Sequence, residues 1–131
     1  METRTYSEGD VIVREGDPGG SMFTVDIGRV GIYSDYGKAN QLLLAEICPD
    51  HYFGEMGLFE NTARSATAVA LDKETAVSVI TEKNFCEFFR TNPARVLAIM
   101  QQMSHNLRRR TDDFVSVCRS VKELMEKEGT K

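Results

Sequence analysis

Up to about residue 80, apolar positions recur in short runs, and each run is closed by a cluster of Gly, Asp, Asn or Pro. Val11, Ile12 and Val13 stand between Gly9-Asp10 and the turn-forming stretch Glu15-Gly16-Asp17-Pro18-Gly19-Gly20. In residues 22–27, Phe23, Val25 and Ile27 share one face at period two. Gly28-Arg29 then leads into residues 30–33, which predicts a hairpin. Residues 35–40 read as a polar loop around Gly37. The run Leu42-Leu43-Leu44 within residues 41–47 predicts a strand covered on both faces. Pro49-Asp50 ends it, and Tyr52-Phe53 leads into the stretch FGEMGLFENTARSATAVA, residues 53–70. Residues 65–71 and 76–81 read as two further strands joined across Asp72-Lys73-Glu74. Roughly seven or eight short strands with turns between them predict a β-sandwich or a jelly-roll barrel.

The period changes at Thr81. Thr81-Glu82-Lys83-Asn84 is a helix start, and Phe85, Phe88 and Phe89 form the apolar face of a short helix. Asn92-Pro93 breaks it, because the residue before proline resists the helical conformation while proline suits the first turn of a new helix. From Ala94 to about Lys127 nothing interrupts a second helix. Leu97, Met100, Ser104, Leu107, Thr111, Phe114, Cys118, Val121 and Met125 follow one another at alternating spacings of three and four, the seam of a coiled coil. Such a helix, at roughly 1.5 Å per residue, reaches about 50 Å and requires a partner. A parallel homodimer along residues 94–127 is the expectation.

The 131 residues suffice for one domain and one core. Its expected parts are a β portion, residues 1–81, and a helical portion, residues 82–128. A net charge of −4 argues against nonspecific attraction to nucleic acid or an acidic membrane surface. No apolar run approaches the roughly 20 residues of a membrane span, and METRTYSEGD has no apolar signal core. A cytoplasmic protein without nucleic-acid or membrane partners is expected. Cys48, Cys86 and Cys118 are widely spaced, which suggests buried, reduced thiols. His51 and His105 lack metal-ligand spacing, no metal or cofactor is expected, and no nucleophile and base stand at catalytic spacing. Arg108-Arg109-Arg110 reads first as a solvated helix face, because successive helical residues point in different directions.

Residues 53–70 carry the candidate chemistry. Gly54 allows backbone to approach a ligand closely. Residues 55–58 predict one helical turn, whose N-terminus favours an anion. Arg64 adds a full positive charge on a planar fork that matches two phosphate oxygens, Ser65 adds a hydroxyl, and Ala66 keeps the approach open. Taken singly, Glu55 is an acid favoured at a helix N-terminus, and Arg64 is its surface partner. Taken together with Gly54, Gly57 and the run Arg-Ser-Ala-Thr, they point to a site for a phosphorylated ligand.

This stretch resembles the phosphate-binding cassette of the cyclic nucleotide-binding domain family, found in catabolite activator proteins, kinase regulatory subunits and gated channels. The spacing of Gly54, Glu55, Arg64 and Ala66 carries the likeness, and Gly28, Val30 and Ile32 extend it into the preceding strands. The resemblance implies a mainly β fold: an eight-stranded antiparallel jelly-roll barrel (double-stranded β-helix), then a short helix and a long C-terminal dimerisation helix. It implies that Glu55 accepts the ribose 2′-hydroxyl, while Arg64, Ser65 and the backbone of Phe53, Gly54, Met56 and Gly57 hold the cyclic phosphate of cAMP or cGMP. It also implies a base-capping residue on the long helix, in the region of Asn106, Arg110 and Thr111. The expectation is a cyclic nucleotide sensor whose signal leaves through that helix. Too few residues follow the helix for a helix-turn-helix, so a stand-alone module is expected, or a fragment of a larger protein. The alternative is a dimeric interaction module with a vestigial pocket. A metal enzyme on a similar barrel lacks the necessary cluster of histidines and carboxylates.

Overall fold

Two four-stranded antiparallel sheets form the body of the protein, described by a computed structural model over residues 2–129. The strands are β1 (Glu2–Tyr6), β2 (Val11–Val13), β3 (Ser21–Ile27), β4 (Val30–Ser34), β5 (Leu42–Ile47), β6 (Tyr52–Phe53), β7 (Thr67–Ala70) and β8 (Thr75–Thr81). The helices are α1 (Glu55–Phe59), α2 (Phe85–Thr91) and α3 (Pro93–Gly129). One sheet has the order β1-β8-β3-β6 and the other β2-β7-β4-β5. Among the described residues no ladder joins the two, so the expected closed barrel is corrected to a pair of sheets.

The predicted hairpin at Gly28-Arg29 is also corrected. β3 pairs with β8 and β6, whereas β4 pairs with β5 and β7, so this turn carries the chain from one sheet to the other. Asp72-Lys73-Glu74 carries it back between β7 and β8. The two crossings are clamped together: Arg29 donates to Asp72 through Nη2 at 2.9 Å and Nε at 3.2 Å, and Leu71 N–H donates to the Arg29 carbonyl at 2.9 Å. Period two alone cannot distinguish a hairpin from such a crossing, since both present the same alternation.

Two other expectations fail for a common reason. Leu42, Leu43 and Leu44 are exposed by 59%, 45% and 54%, because β5 is the outer strand of its sheet rather than an inner one. Cys48, Cys86 and Cys118 are likewise exposed rather than buried. Chemical type sets a preference for burial, but topology decides which positions are covered. β1 carried no apolar signal; as an outer strand bearing Glu2 and Arg4 it needs only a ladder to β8.

Side chains at period two fill the space between the sheets. Phe23, Val25, Val30, Phe53, Ala68, Val77 and Val79 form the buried core. Phe23 stacks on Phe53 at 4.9 Å, which ties β3 to the strand that opens the cassette. The predicted helix start is reciprocal: Thr81 N–H donates to Asn84 Oδ1 at 2.8 Å, and Asn84 N–H donates to Thr81 Oγ1 at 3.4 Å. The Asn92-Pro93 break falls between α2 and α3. The chain divides after Ile99 into two compact units, the second consisting of the remainder of α3. In the first unit, Arg95 Nη2 donates to Thr24 Oγ1 at 3.0 Å and to Asp26 Oδ1 at 2.6 Å. Removing the Phe23 ring should destabilise the fold most directly. Phe23→Ala is expected to lower unfolding free energy by about 3–5 kcal/mol, seen as a fall in the urea midpoint.

Candidate functional site

Residues 53–66 are held against the loop that precedes β3. Gly16 N–H donates to the Arg64 carbonyl at 2.8 Å, Arg64 N–H donates to the Asp17 carbonyl at 2.8 Å, and Gly20 N–H donates to the Gly57 carbonyl at 2.9 Å. The turn-forming stretch 15–20 is therefore a wall of the cassette. Its composition gave it away as a turn, but nothing in the sequence indicated what it packs against. A Cβ at Gly19 would lie 2.4 Å from the Thr62 carbonyl oxygen and 2.8 Å from Gly57 Cα, so only glycine admits this approach.

The cassette begins at Phe53, which is a core residue rather than a ligand contact at its side chain. Gly54 follows at φ 78°, the left-handed region that favours glycine, and starts the five-residue helix α1. Glu55 is half-buried, and among the described residues no hydrogen bond or ion pair engages its carboxylate. Met56 is exposed, while its carbonyl accepts from Glu60 N–H at 2.9 Å and Thr62 Oγ1 at 3.4 Å. Gly57 is buried against the arginine: a Cβ there would lie 2.5 Å from Arg64 Nη1. Ser65 is exposed and Ala66 half-buried at the entry to β7.

Arg64 is the centre of this arrangement. It is only 8% exposed, yet among the described residues no carboxylate forms an ion pair with it. Its Nη1 donates to the Ser21 carbonyl at 2.8 Å and the Gly54 carbonyl at 3.2 Å, and its Nη2 donates to Ser21 Oγ at 3.0 Å. The Phe23 ring lies 5.4 Å from its Cζ, a cation–π contact. Burial pushes the guanidinium below its ordinary pKa, partly offset by the charge of Asp17. Among the described residues Nε is buried without a hydrogen-bond partner. Buried N–H groups are almost always bonded, so this one calls for an acceptor from outside the chain. A cationic fork of this kind, with glycines on either side and a free carboxylate nearby, fits an oxyanion joined to a hydroxyl-bearing group.

Asn106, Arg110 and Thr111 lie in the second unit, on α3. Asn106 is half-buried, Arg110 is exposed, and Thr111 Oγ1 donates to its own helix at the Leu107 carbonyl at 2.9 Å. Arg108 and Arg109 are exposed as well. His51 Nδ1 lies 3.2 Å from the Pro49 carbonyl oxygen. Among the described residues no group of three or more His, Cys, Asp or Glu is arranged to hold a metal ion, and no helix is long and apolar enough to cross a membrane. Ser21 was not legible as a site residue, since an isolated serine at the start of a strand carries no signal of its own.

Residues 3–92 match the family model described as the cyclic nucleotide-binding domain. The human cGMP-dependent protein kinase 2 is 33% identical over 86 residues, covering 65% of this chain and 11% of the kinase. The cyclic AMP receptor protein of Thermus thermophilus is 30% identical over 82 residues, covering 63% of this chain and 38% of that protein. The chain thus spans well under half of these relatives. Among solved structures, the Thermus thermophilus catabolite activator protein superposes with a TM-score of 0.70 at 25% identity, covering 86% of this chain and 53% of that one. The N-terminal domain of a transcriptional regulator from Streptomyces coelicolor gives 0.62 at 26% identity, over 86% and 78% of the two chains. With more than half its length inside the family model, the chain belongs to the cyclic nucleotide-binding domain family.

Proposed function

We propose that this chain is a cyclic nucleotide sensor, a binding and regulatory module rather than an enzyme. The observation that carries the reading is Arg64, a cation buried without a carboxylate partner among the described residues, with its Nε left unpartnered. Burying a charge is costly unless something pairs with it, and a cyclic phosphate brings two non-bridging oxygens and one negative charge. Glu55 then accepts the ribose 2′-hydroxyl, its carboxylate being free to do so. Gly54 and Gly57 keep side chains out of the space next to the guanidinium. Phe53 contributes by fixing the start of the cassette, Met56 through its backbone, and Ser65 and Ala66 as hydroxyl donor and open approach. The relatives support either base: the names of those quoted above speak of cGMP in one and of cyclic AMP in another.

We assign the base cap to α3, with Asn106, Arg110 and Thr111 as its residues; Arg110 would stack on the purine and Asn106 would reach its edge. Output through α3 follows if the nucleotide binds two positions of that helix unequally. A parallel homodimer along residues 94–127 is part of the same reading. It is supported by the exposure of its seam residues Met100, Leu107, Phe114, Val121 and Met125, at 50–69% each. A coiled coil covers such residues by inserting each into the facing helix. No metal or further cofactor enters the reading, and the site of action is assigned to the cytoplasm.

Calorimetric titration with cAMP and cGMP, after any co-purified nucleotide has been stripped, should show micromolar or tighter binding to one of them. Arg64→Ala is expected to weaken it by on the order of 2–5 kcal/mol. Absence of heat with both nucleotides would leave the vestigial dimeric module as the reading. The role of Glu55 is read from a cycle between Glu55→Ala and the 2′-deoxy nucleotide. Each change alone should cost about 1.5–3 kcal/mol, and the two together little more than one, whereas additive losses would place the 2′-hydroxyl elsewhere. Light scattering at micromolar concentration should give about twice 14.7 kDa, and a monomeric mass would remove the dimer.

A further inference from the structure

We propose that Ser21 is a positioning residue that fixes which edge of the Arg64 guanidinium meets the ligand: the Nε and Nη2 edge is presented, and the Nη1 and Nη2 end is held by the protein. The proposal rests on the cyclic nucleotide reading above and deepens it. A guanidinium has five N–H groups. Three are committed in this structure, two from Nη1 to the carbonyls of Ser21 and Gly54 and one from Nη2 to Ser21 Oγ. Ser21 therefore takes the end of the fork with two oxygens, its carbonyl and its hydroxyl. The remaining N–H groups are Nε–H and the second hydrogen of Nη2, which are parallel along one side of the guanidinium plane. That pair matches the two non-bridging oxygens of a phosphodiester. The unpartnered buried Nε lies on this edge.

The holding residue is itself rigid. Ser21 opens β3, in register with Thr81 of β8, and the next odd position, Phe23, supports the guanidinium through its ring. A strand paired in this way cannot follow the arginine if it swings, so the arginine must follow the strand. The carbonyl bond survives any substitution at position 21, but the hydroxyl bond survives only where a hydroxyl is kept. Loss of the hydroxyl frees Nη2 and lets the plane rotate, while Arg64 stays in place.

The test compares wild type, Ser21→Ala and Ser21→Thr, the last keeping a hydroxyl on a side chain that suits a strand. Titration with the cyclic nucleotide that wild type binds should show Ser21→Ala weakened by about tenfold and Ser21→Thr restored to near wild type. Urea midpoints serve to separate this from a loss of fold. Nitrogen-15 NMR of the arginine side chains adds a readout that needs no nucleotide. In wild type and Ser21→Thr the Arg64 Nη1 and Nη2 signals should be separate, and in Ser21→Ala the Nη2 signal should broaden or merge with Nη1. If wild type binds a nucleotide and Ser21→Ala binds it equally well, the Ser21 proposal is overturned and the sensor reading stands. If wild type binds neither cAMP nor cGMP, the sensor reading falls. Ser21 is then judged by NMR with inorganic phosphate as probe: a saturable shift of Arg64 Nε–H that weakens in Ser21→Ala upholds its role, and an unmoved signal ends it.

Discussion

A buried arginine without a carboxylate is the constraint around which the cassette is built. The Arg64 guanidinium is hydrogen-bonded only to neutral oxygens, those of Ser21 and Gly54, with the face of Phe23 behind it, and the charge of Asp17 offsets part of the effect of burial. A carboxylate partner would have stabilised the guanidinium more, but would have competed with any incoming anion. Carbonyl and hydroxyl oxygens hold the plane of the fork and leave its charge uncancelled. The local backbone obeys the same requirement. Gly57 has no Cβ because Nη1 occupies the space, and Gly19 has none because the Thr62 carbonyl and Gly57 backbone do.

The loop before β3 makes this arrangement possible. Gly16, Asp17 and Gly20 exchange backbone hydrogen bonds with Arg64 and Gly57, which closes the cassette on a segment far away in sequence. Such long-range closure carries an entropic cost, offset here by the stacking of Phe23 on Phe53, which holds β3 and β6 together in the core. The binding stretch is therefore a product of sheet packing as much as of its own sequence.

How much was legible follows from this division. The local features could be read directly: the strand runs, the helix start at Thr81 and Asn84, the break at Asn92-Pro93 and the length of α3 all depend on neighbouring residues. The approach of Gly54 and Gly57 to Arg64 was legible because one short segment joins them. Whatever depended on partners far along the chain was not. Gly28-Arg29 looked like a hairpin although it joins two sheets, and Leu42-Leu43-Leu44 looked covered although β5 has a neighbour on only one side. β1 gave no apolar signal because backbone pairing alone places it. Ser21 escaped notice for a similar reason, since its hydroxyl acquires meaning only when residue 64 folds back on it, 43 positions later.

The second face of β3 adds the last element. Ser21 and Phe23 meet Arg64, whereas Thr24 and Asp26, at even positions, meet the root of α3. Asp26 falls where the register between β3 and β8 shifts, between Val25 and Ile27, and such a bulge re-aims a side chain. It accepts from Arg95 at 2.6 Å on one oxygen and from Ser78 at 2.6 Å on the other. Both partners are only about a quarter exposed, 27% for Arg95 and 24% for Asp26, so solvent screens the pair less than it would a surface one. The same strand thus carries the anchor of the cassette arginine and the anchor of the first turn of α3, a few residues apart. β3 is paired with β8 on both sides of the register shift and its middle is fully buried, so both anchors sit on one packed strand.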